Sequence, residues 1–225
     1  MKKFAVIVAG GKGLRMGKEL PKQFLLLAGK PIVVYAIEAF LNAFQDIQII
    51  LVLPADFIEY TKSILSKFKP ANPILFVEGG ATRFDSVKNG LNPIKENGIV
   101  FVHDGARPLL SIELLQRCYQ GAIENGNAIP AIPVAESIRQ ITGATTIPIN
   151  RDQLRIIQTP QTFKTETLIN VFNCNYRPEF TDEATVAEMS GITVHLIAGD
   201  KKNIKITTPE DLLIAEAFLN HSNDI

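Results

Sequence analysis

The stretch Phe4-Ala5-Val6-Ile7-Val8-Ala9-Gly10-Gly11-Lys12-Gly13-Leu14-Arg15-Met16-Gly17 sets the architecture. Phe4 to Ala9 is an unbroken apolar run rich in branched side chains, which is how a strand covered on both faces of a parallel sheet reads. A glycine loop follows at once. Downstream, Pro31 opens a helical pattern with Ala36, Ile37, Phe40, Leu41 and Phe44 at three- and four-residue spacing, and Ile47 to Leu53 is a second apolar run. The order is strand, loop, helix, strand. It continues through a helix near Ala55 to Phe68, a strand Ile74 to Val77, a helix near Thr82 to Leu91, a strand Ile99 to Val102 and a helix near Ile112 to Asn125. Repeated β-α units of this size imply an α/β fold, a doubly wound, Rossmann-like and mostly parallel sheet with helices on both faces.

After the run Ala128 to Val134, the segment from Ala135 to Asn150 loses helical period and carries Gly143, paired threonines and Pro148. It reads as an excursion from the core, an extended arm or small subdomain of the kind that covers a ligand or clasps a partner subunit. Helices near Thr165 to Asn173 and Asp182 to Ser190 follow, then a strand Thr193 to Ile197 and a short strand around Ile204 to Ile206. The last helix has start signals, with Thr208 as N-cap, Pro209 first and Asp211 third. The tail His221 to Ile225 reads as disordered.

With 225 residues, 46% hydrophobic and 20% charged, the chain can bury a sizeable core, and residues 1–225 fit one domain better than two. Lys plus Arg and Asp plus Glu both number 23, so no overall field draws the protein to nucleic acid or an anionic membrane. Local cations must therefore be read as sites. The N-terminal apolar run stops at Gly10, too short for a signal segment or a bilayer span. Cys118 and Cys174 each fall in a segment that reads as helix, without a second Cys at metal-ligand spacing. A cytoplasmic protein with reduced thiols is expected.

Glycines at the end of a strand let backbone amides approach an anion. Gly11, Gly13 and Gly17 give G-x-G-x-x-x-G, and Met16 occupies the place where a dinucleotide fingerprint needs its third small residue. Gly17-Lys18-Glu19 likewise lacks the Ser or Thr of a Walker loop. What remains is a glycine loop with Arg15 inside it and Lys22 just after it. Such cations suit nucleotidyl transfer, because an anionic acceptor approaching a triphosphate is repelled unless the charge is neutralised. A solvated β-α loop is the plain alternative for this segment alone.

Further blocks remove much of that ambiguity: Pro21-Lys22-Gln23-Phe24, Gly79-Gly80 with Arg83, Ser86, Val87 and Gly90-Leu91, and His103-Asp104-Gly105-Ala106-Arg107-Pro108. Asn150-Arg151, Gln158-Thr159-Pro160-Gln161, Thr181-Asp182-Glu183-Ala184 and Asn203-Ile204-Lys205 complete the set. With the loop these ordered blocks resemble the sugar-nucleotidyltransferase family, and within it the cytidylyltransferases acting on 2-C-methyl-D-erythritol 4-phosphate in non-mevalonate isoprenoid synthesis. The resemblance implies CTP and a small polyol phosphate as substrates and Mg²⁺, or another divalent cation, as cofactor. It implies Arg15 and Lys22 as catalytic, and Ala9, Gly10, Gly11, Gly13, Gly80, Ser86 and Lys205 as nucleotide-binding. Asp104, Arg107, Ser137, Arg151, Thr159, Thr181 and Lys205 would hold the acceptor, with Asp104 also at the metal. A homodimer through the 135–150 arm is implied too. Glu136-Ser137 departs from the Asp-Thr frequent in that arm, and His103 is read as structural.

From residues alone, Ser86 could be an ordinary first-turn hydroxyl, and Asp104 with Arg107 a pair pinning a turn. The ribitol-5-phosphate cytidylyltransferases share the glycine loop, Leu20-Pro21-Lys22-Gln23-Phe24-Leu25 and Asn203-Ile204-Lys205. The blocks at His103 and Thr181 look closer to the methylerythritol enzymes. A nucleotide-sensing protein without catalysis should have lost Arg15, Lys22 or Asp104, and all are retained. An NAD-dependent oxidoreductase would need the fingerprint that Met16 breaks.

Overall fold

The structure, a computed structural model, describes residues 1–10, 21–68, 70 and 72–221. In chain order the strands are β1 (Lys2–Val8), β2 (Leu26–Leu27), β3 (Lys30–Pro31), β4 (Ile47–Leu53), β5 (Ile74–Glu78) and β6 (Gly98–Asp104). They continue as β7 (Asn127–Pro133), β8 (Ile138–Thr142), β9 (Thr145–Ile149), β10 (Arg155–Ile157), β11 (Gln161–Lys164) and β12 (Leu196–Ala198). The helices are α1 (Ile32–Ala43), α2 (Ile58–Phe68), α3 (Arg83–Leu91), α4 (Ile112–Asn125), α5 (Thr165–Val171), α6 (Glu183–Met189) and α7 (Pro209–His221).

The main sheet runs β10-β7-β11-β6-β1-β4-β5, with β12 added to β7. The block β6-β1-β4-β5 is parallel throughout. The apolar runs of β1, β4 and β6 are nearly continuous because both faces are covered, whereas the edge strand β5 is only partly buried. Ala5, Ile7, Ile49, Leu51 and Phe101 alternate onto the side of α1 and α4, whereas Phe4, Val6, Ile50, Val52 and Val100 face α3, α5 and α6. Gly90 sets how close α3 comes: a Cβ there would lie 2.5 Å from Val6 Cγ1 and 2.8 Å from Val52 Cγ2. From β1 the chain winds outward to β4 and β5, then returns to place β6 on the other side of β1. That reversal makes a crevice at the carboxyl ends of β1 and β6.

The expected mostly parallel sheet is present, with two short antiparallel strands the periodicity did not reveal. β11 lies between β6 and β7, and β10 pairs with β7. Polar residues such as Gln161, Thr162 and Arg155 broke the apolar pattern there. The strand expected over Thr193 to Ile197 is shifted to β12. Upstream of it, the Asn127 side chain takes the Thr193 carbonyl and the His195 amide in place of a strand neighbour (both 2.8 Å). The expected strand Ile204 to Ile206 is not formed. Ile206 gives one backbone bond to the Ala106 carbonyl (2.8 Å) and its side chain is buried in a cluster with Leu25, Leu27 and Ala215.

The 135–150 excursion is the hairpin β8–β9, paired from Ile138 opposite Ile149 to Thr142 opposite Thr145, with Gly143 at φ +61° in its turn. Helix α7 begins at Pro209 as expected, and the Asp211 carboxylate accepts from the Thr207 and Thr208 amides (both 2.8 Å). Both cysteines are free thiols. Cys118 is buried in α4, where burial pushes its thiol up to about 12. Cys174, expected in a helix, sits in the turn after α5, which ends at Val171. The tail positions 222–225 lie outside the described residues. No helix among the described residues is long and apolar enough to cross a membrane.

Candidate active site

The carboxyl ends of the parallel strands stay in register beyond the strands themselves. Ala9 N–H donates to Val52 O (2.9 Å), Gly105 N–H to Val8 O (2.9 Å) and Gly79 N–H to Leu53 O (2.8 Å). These bonds bring four loops together around a cavity of about 660 Å³. It is lined by Val8–Gly10, Lys22–Gln23, Pro54–Asp56, Glu78–Arg83, Ser86, Asp104, Ala106 and Lys205. The cavity thus sits where strand order reverses, as ligand sites do in open α/β sheets.

One wall is the start of α3. Thr82 caps the helix: its hydroxyl accepts from Asp85 N–H (3.1 Å), while Asp85 Oδ2 accepts from Thr82 N–H (3.1 Å). Ser86 Oγ donates to Thr82 O (2.9 Å) and accepts from Gly80 N–H (3.1 Å), so this hydroxyl holds the Gly79-Gly80 loop in place. A Cβ at Gly80 would overlap the Asp85 Cβ and lie 3.0 Å from the Asp85 carbonyl carbon. Gly80→Ala must therefore push the loop off the cap. We expect the CTP implied by the resemblance to bind roughly tenfold more weakly with a native fold, as overpacking of about 1–3 kcal/mol implies; calorimetry showing unchanged affinity would refute this. The capped N-terminus of α3 lies at the cavity, where Thr82 and Arg83 line it.

Asp104 ends β6 at the opposite wall. Its Oδ2 lies 2.8 Å from Lys205 Nζ, and its Oδ1 lies 3.2 Å from Arg83 Nε and 3.1 Å from Arg83 Nη2. Burial alone would raise this carboxyl, but Arg83 and Lys205 outweigh it and hold Asp104 well below the usual carboxylate range. Arg83 in turn meets Glu183, which is fully buried at the start of α6, through Nη1–Oε1 at 2.5 Å and Nη2–Oε2 at 3.2 Å. Burial opposes the charge on Arg83, yet Glu183 and Asp104 raise its pKa further. Burial pushes the Glu183 carboxyl up and the doubly bonded guanidinium opposes that.

Behind Asp104 runs a second network. His103 is fully buried, and its Nε2 meets the Arg107 carbonyl (3.2 Å), which can only accept. The proton is therefore on Nε2; Nδ1 accepts from the Thr159 hydroxyl (3.1 Å), which itself accepts from Asp104 N–H (3.1 Å). Burial lowers His103 to about 4. An unfolded His titrates near ~6.5, so the unfolded chain binds more protons between these values and stability falls as pH drops from about 6.5 toward 4. Urea midpoints of the metal-free protein should decline through this window, and His103→Gln should flatten the decline; parallel curves would refute the assignment. Arg107 is 9% exposed and donates through Nη1 to Asn203 O (2.7 Å), while its Nε has no partner among the described residues.

Of the residues singled out in the sequence, Ala9, Gly10, Lys22, Gly80, Ser86, Asp104 and Lys205 line this one cavity. Gly11, Gly13 and Arg15 lie outside the described residues. Arg107 and Thr159 are buried behind the wall. Ser137, Arg151 and Thr181 are exposed, and Arg151 Nη1 donates to the Ala135 carbonyl at the foot of the hairpin. Thr181 Oγ lies 3.2 Å from Thr185 Oγ, at the start of α6. Asp56, Arg83 and Glu183 carried no individual role in the sequence reading. A first-turn glutamate reads as a helix-dipole partner, and nothing local marks its bond to an arginine a hundred residues earlier.

Comparison with known proteins agrees with this geometry. The sequence model of the family described as 2-C-methyl-D-erythritol 4-phosphate cytidylyltransferase (IspD) matches residues 4–221. The chain is 44% identical over 219 residues to the Bacteroides thetaiotaomicron protein of that name, covering 97% of this chain and 100% of that one. Among solved structures, 4-diphosphocytidyl-2C-methyl-D-erythritol synthase from Anaerococcus prevotii superposes with a TM-score of 0.83 at 28% identity, covering 97% of this chain and 96% of that one. The Francisella tularensis 2-C-methyl-D-erythritol 4-phosphate cytidylyltransferase gives 0.79 at 32% identity, covering 96% and 99%. The family match spans both walls of the cavity and both networks behind it, and the chain belongs to the 2-C-methyl-D-erythritol 4-phosphate cytidylyltransferase family.

Proposed function

We propose that this protein transfers the cytidylyl group of CTP to 2-C-methyl-D-erythritol 4-phosphate, releasing pyrophosphate and giving 4-diphosphocytidyl-2-C-methyl-D-erythritol. The observation that carries it is one ionised carboxylate, Asp104, clamped between Arg83 and Lys205 at the switch point of the sheet. A phosphate oxygen of the acceptor attacks the α-phosphorus; that P–O bond forms as the bond to the β-phosphate breaks, and the electron pair leaves with pyrophosphate. The nucleophile is already an anion, so positioning and charge neutralisation suffice without a general base. Lys22, with Arg15 from the neighbouring loop, neutralises the reacting phosphates, while Gly80 and Ser86 shape the base pocket. Arg151, Thr181 and Lys205 would serve the acceptor, while Arg107 braces the cavity wall from behind through Asn203 O and Thr159 holds the Asp104 backbone.

The carboxylate also fits Mg²⁺. Mg²⁺ takes one or two carboxylates and draws its remaining ligands from phosphate and water. Asp104 would hold the metal, which when bound neutralises charge on the triphosphate. The hairpin β8–β9 would pack on a second copy and carry Ser137 toward that copy's acceptor site, with the exposed side chains of Ile141 and Ile147 available to that contact.

A pyrophosphate-release assay tests the reading by crossing CTP and UTP with methylerythritol phosphate and ribitol 5-phosphate. Turnover is expected with CTP and methylerythritol phosphate. Turnover with ribitol phosphate alone would overturn the acceptor assignment.

A further inference from the structure

We infer that Arg83 is a positioning residue: gripped by Glu183, its side chain fastens the nucleotide-side helix α3, the acceptor-side helix α6 and the Asp104 carboxylate into one arrangement. This rests on the cytidylyl-transfer reading above. Arg83 is the first residue of α3, directly after the Thr82 cap, and Glu183 is the first residue of α6, two positions after Thr181. The two helices are about a hundred residues apart in the chain and pack on the same face of the sheet, where Arg83 joins α6 to Asp104. The Arg83 guanidinium touches both carboxylates: Nε and Nη2 meet Asp104, while Nη1 and Nη2 meet Glu183. With four of these contacts made to protein, little of its donor fork is left for a substrate.

A buried ion pair is a costly way to stabilise a fold, since apolar side chains of similar volume commonly do as well or better. Glu183 has no exposed surface, and α6 does not depend on it for its start. Asp182 caps that helix through Thr185 N–H (2.8 Å), and Gln161 ties it to β11 through Asp182 Oδ2 (2.9 Å) and Ala184 N–H (2.7 Å). The nucleotide side is equally self-sufficient through Thr82, Asp85 and Ser86. What the pair adds is the mutual placement of the two sides and the aim of Asp104. A planar fork that bonds two carboxylates at once supplies this, and a lysine cannot.

The test measures kcat, KM for methylerythritol phosphate, and CTP affinity by calorimetry, with a melting curve for each variant. Glu183→Gln keeps the shape but offers one acceptor oxygen in place of a carboxylate. It should raise the acceptor KM about tenfold and lower kcat at least about tenfold, with CTP affinity changed less than about threefold. Arg83→Met should be worse, and the double variant no worse than Arg83→Met alone, because the two residues act as one unit. Should Arg83→Met prevent folding, Arg83→Lys replaces it and should recover only a small part of the loss. Folded Glu183→Gln protein with normal kinetics, equal losses for CTP and acceptor, or independently multiplying losses would each overturn the inference. Wild-type protein inactive with CTP and methylerythritol phosphate would instead overturn the underlying reading and the inference with it.

Discussion

Replacing Lys22 by Ala should lower kcat about 10²- to 10³-fold, corresponding to about 2.7–4 kcal/mol of lost transition-state stabilisation, while CTP affinity changes only a few-fold. Lys22 enters the cavity from a short 3-10 turn, Lys22–Phe24, whose neighbours are well anchored. Phe24 is buried against Phe57 with ring centroids 5.5 Å apart, and Gln23 Nε2 donates to Ala9 O (2.5 Å). Gln23 and Phe24 thus fasten the turn to the end of β1 and to the core, so alanine at this position should leave the fold unchanged. In the proposed reaction negative charge grows on the bridging oxygen as pyrophosphate departs, and a fixed ammonium in the cavity stabilises that state more than the ground state. Single-turnover rates set against CTP binding by calorimetry separate the two. Equal losses in both would assign Lys22 to ground-state binding only.

Asp104→Asn should be the most damaging conservative change at the site. Removing the charge leaves Arg83 and Lys205 facing each other across a neutral amide, with the Arg107 charge nearby. Breaking a buried pair in this way typically costs about 3–5 kcal/mol, and the lower end applies here because Lys205 is 40% exposed and can turn into water. The melting temperature should drop accordingly. Turnover should fall at least about 10²-fold, since the variant loses both its proposed metal ligand and the aim of its cations. Pyrophosphate should restore part of the lost stability, because an anion binding the native state at about 100 times its dissociation constant contributes about 2.7 kcal/mol. An Asp104→Asn protein that melts like wild type with or without pyrophosphate would show that the carboxylate does not balance these cations.

The parallel core was legible because burial on both faces leaves a plain imprint. Phe4 to Ala9 and Ile99 to Val102 are unbroken apolar runs, Ile47 to Leu53 is broken only by the exposed Gln48, and glycine punctuation marks where β1 ends. Strands β10 and β11 were hidden because both are short: β10 opens on the exposed Arg155, and β11 carries Gln161 and Thr162, whose burial depends on neighbours far along the chain. Ile204 to Ile206 shows the opposite error. Apolar alternation looked like a strand, but those side chains fill a gap beneath α7.

The site divides the same way. Local chemistry in the amino-acid sequence determined the α/β class and the glycine loop at the end of β1 with Lys22 just after it, while the family resemblance singled out the cavity-lining residues Gly80, Ser86, Asp104 and Lys205. Loops that follow parallel strands must meet at one edge of the sheet, so their positions follow from strand order. Tertiary structure alone decided which charges pair. It joined Arg83 to Glu183, set Thr159 between His103 and Asp104, and withdrew Arg107 behind the cavity wall. Those contacts are side-chain encounters between helices and strands distant in sequence, and no local periodicity encodes the partner of a buried charge.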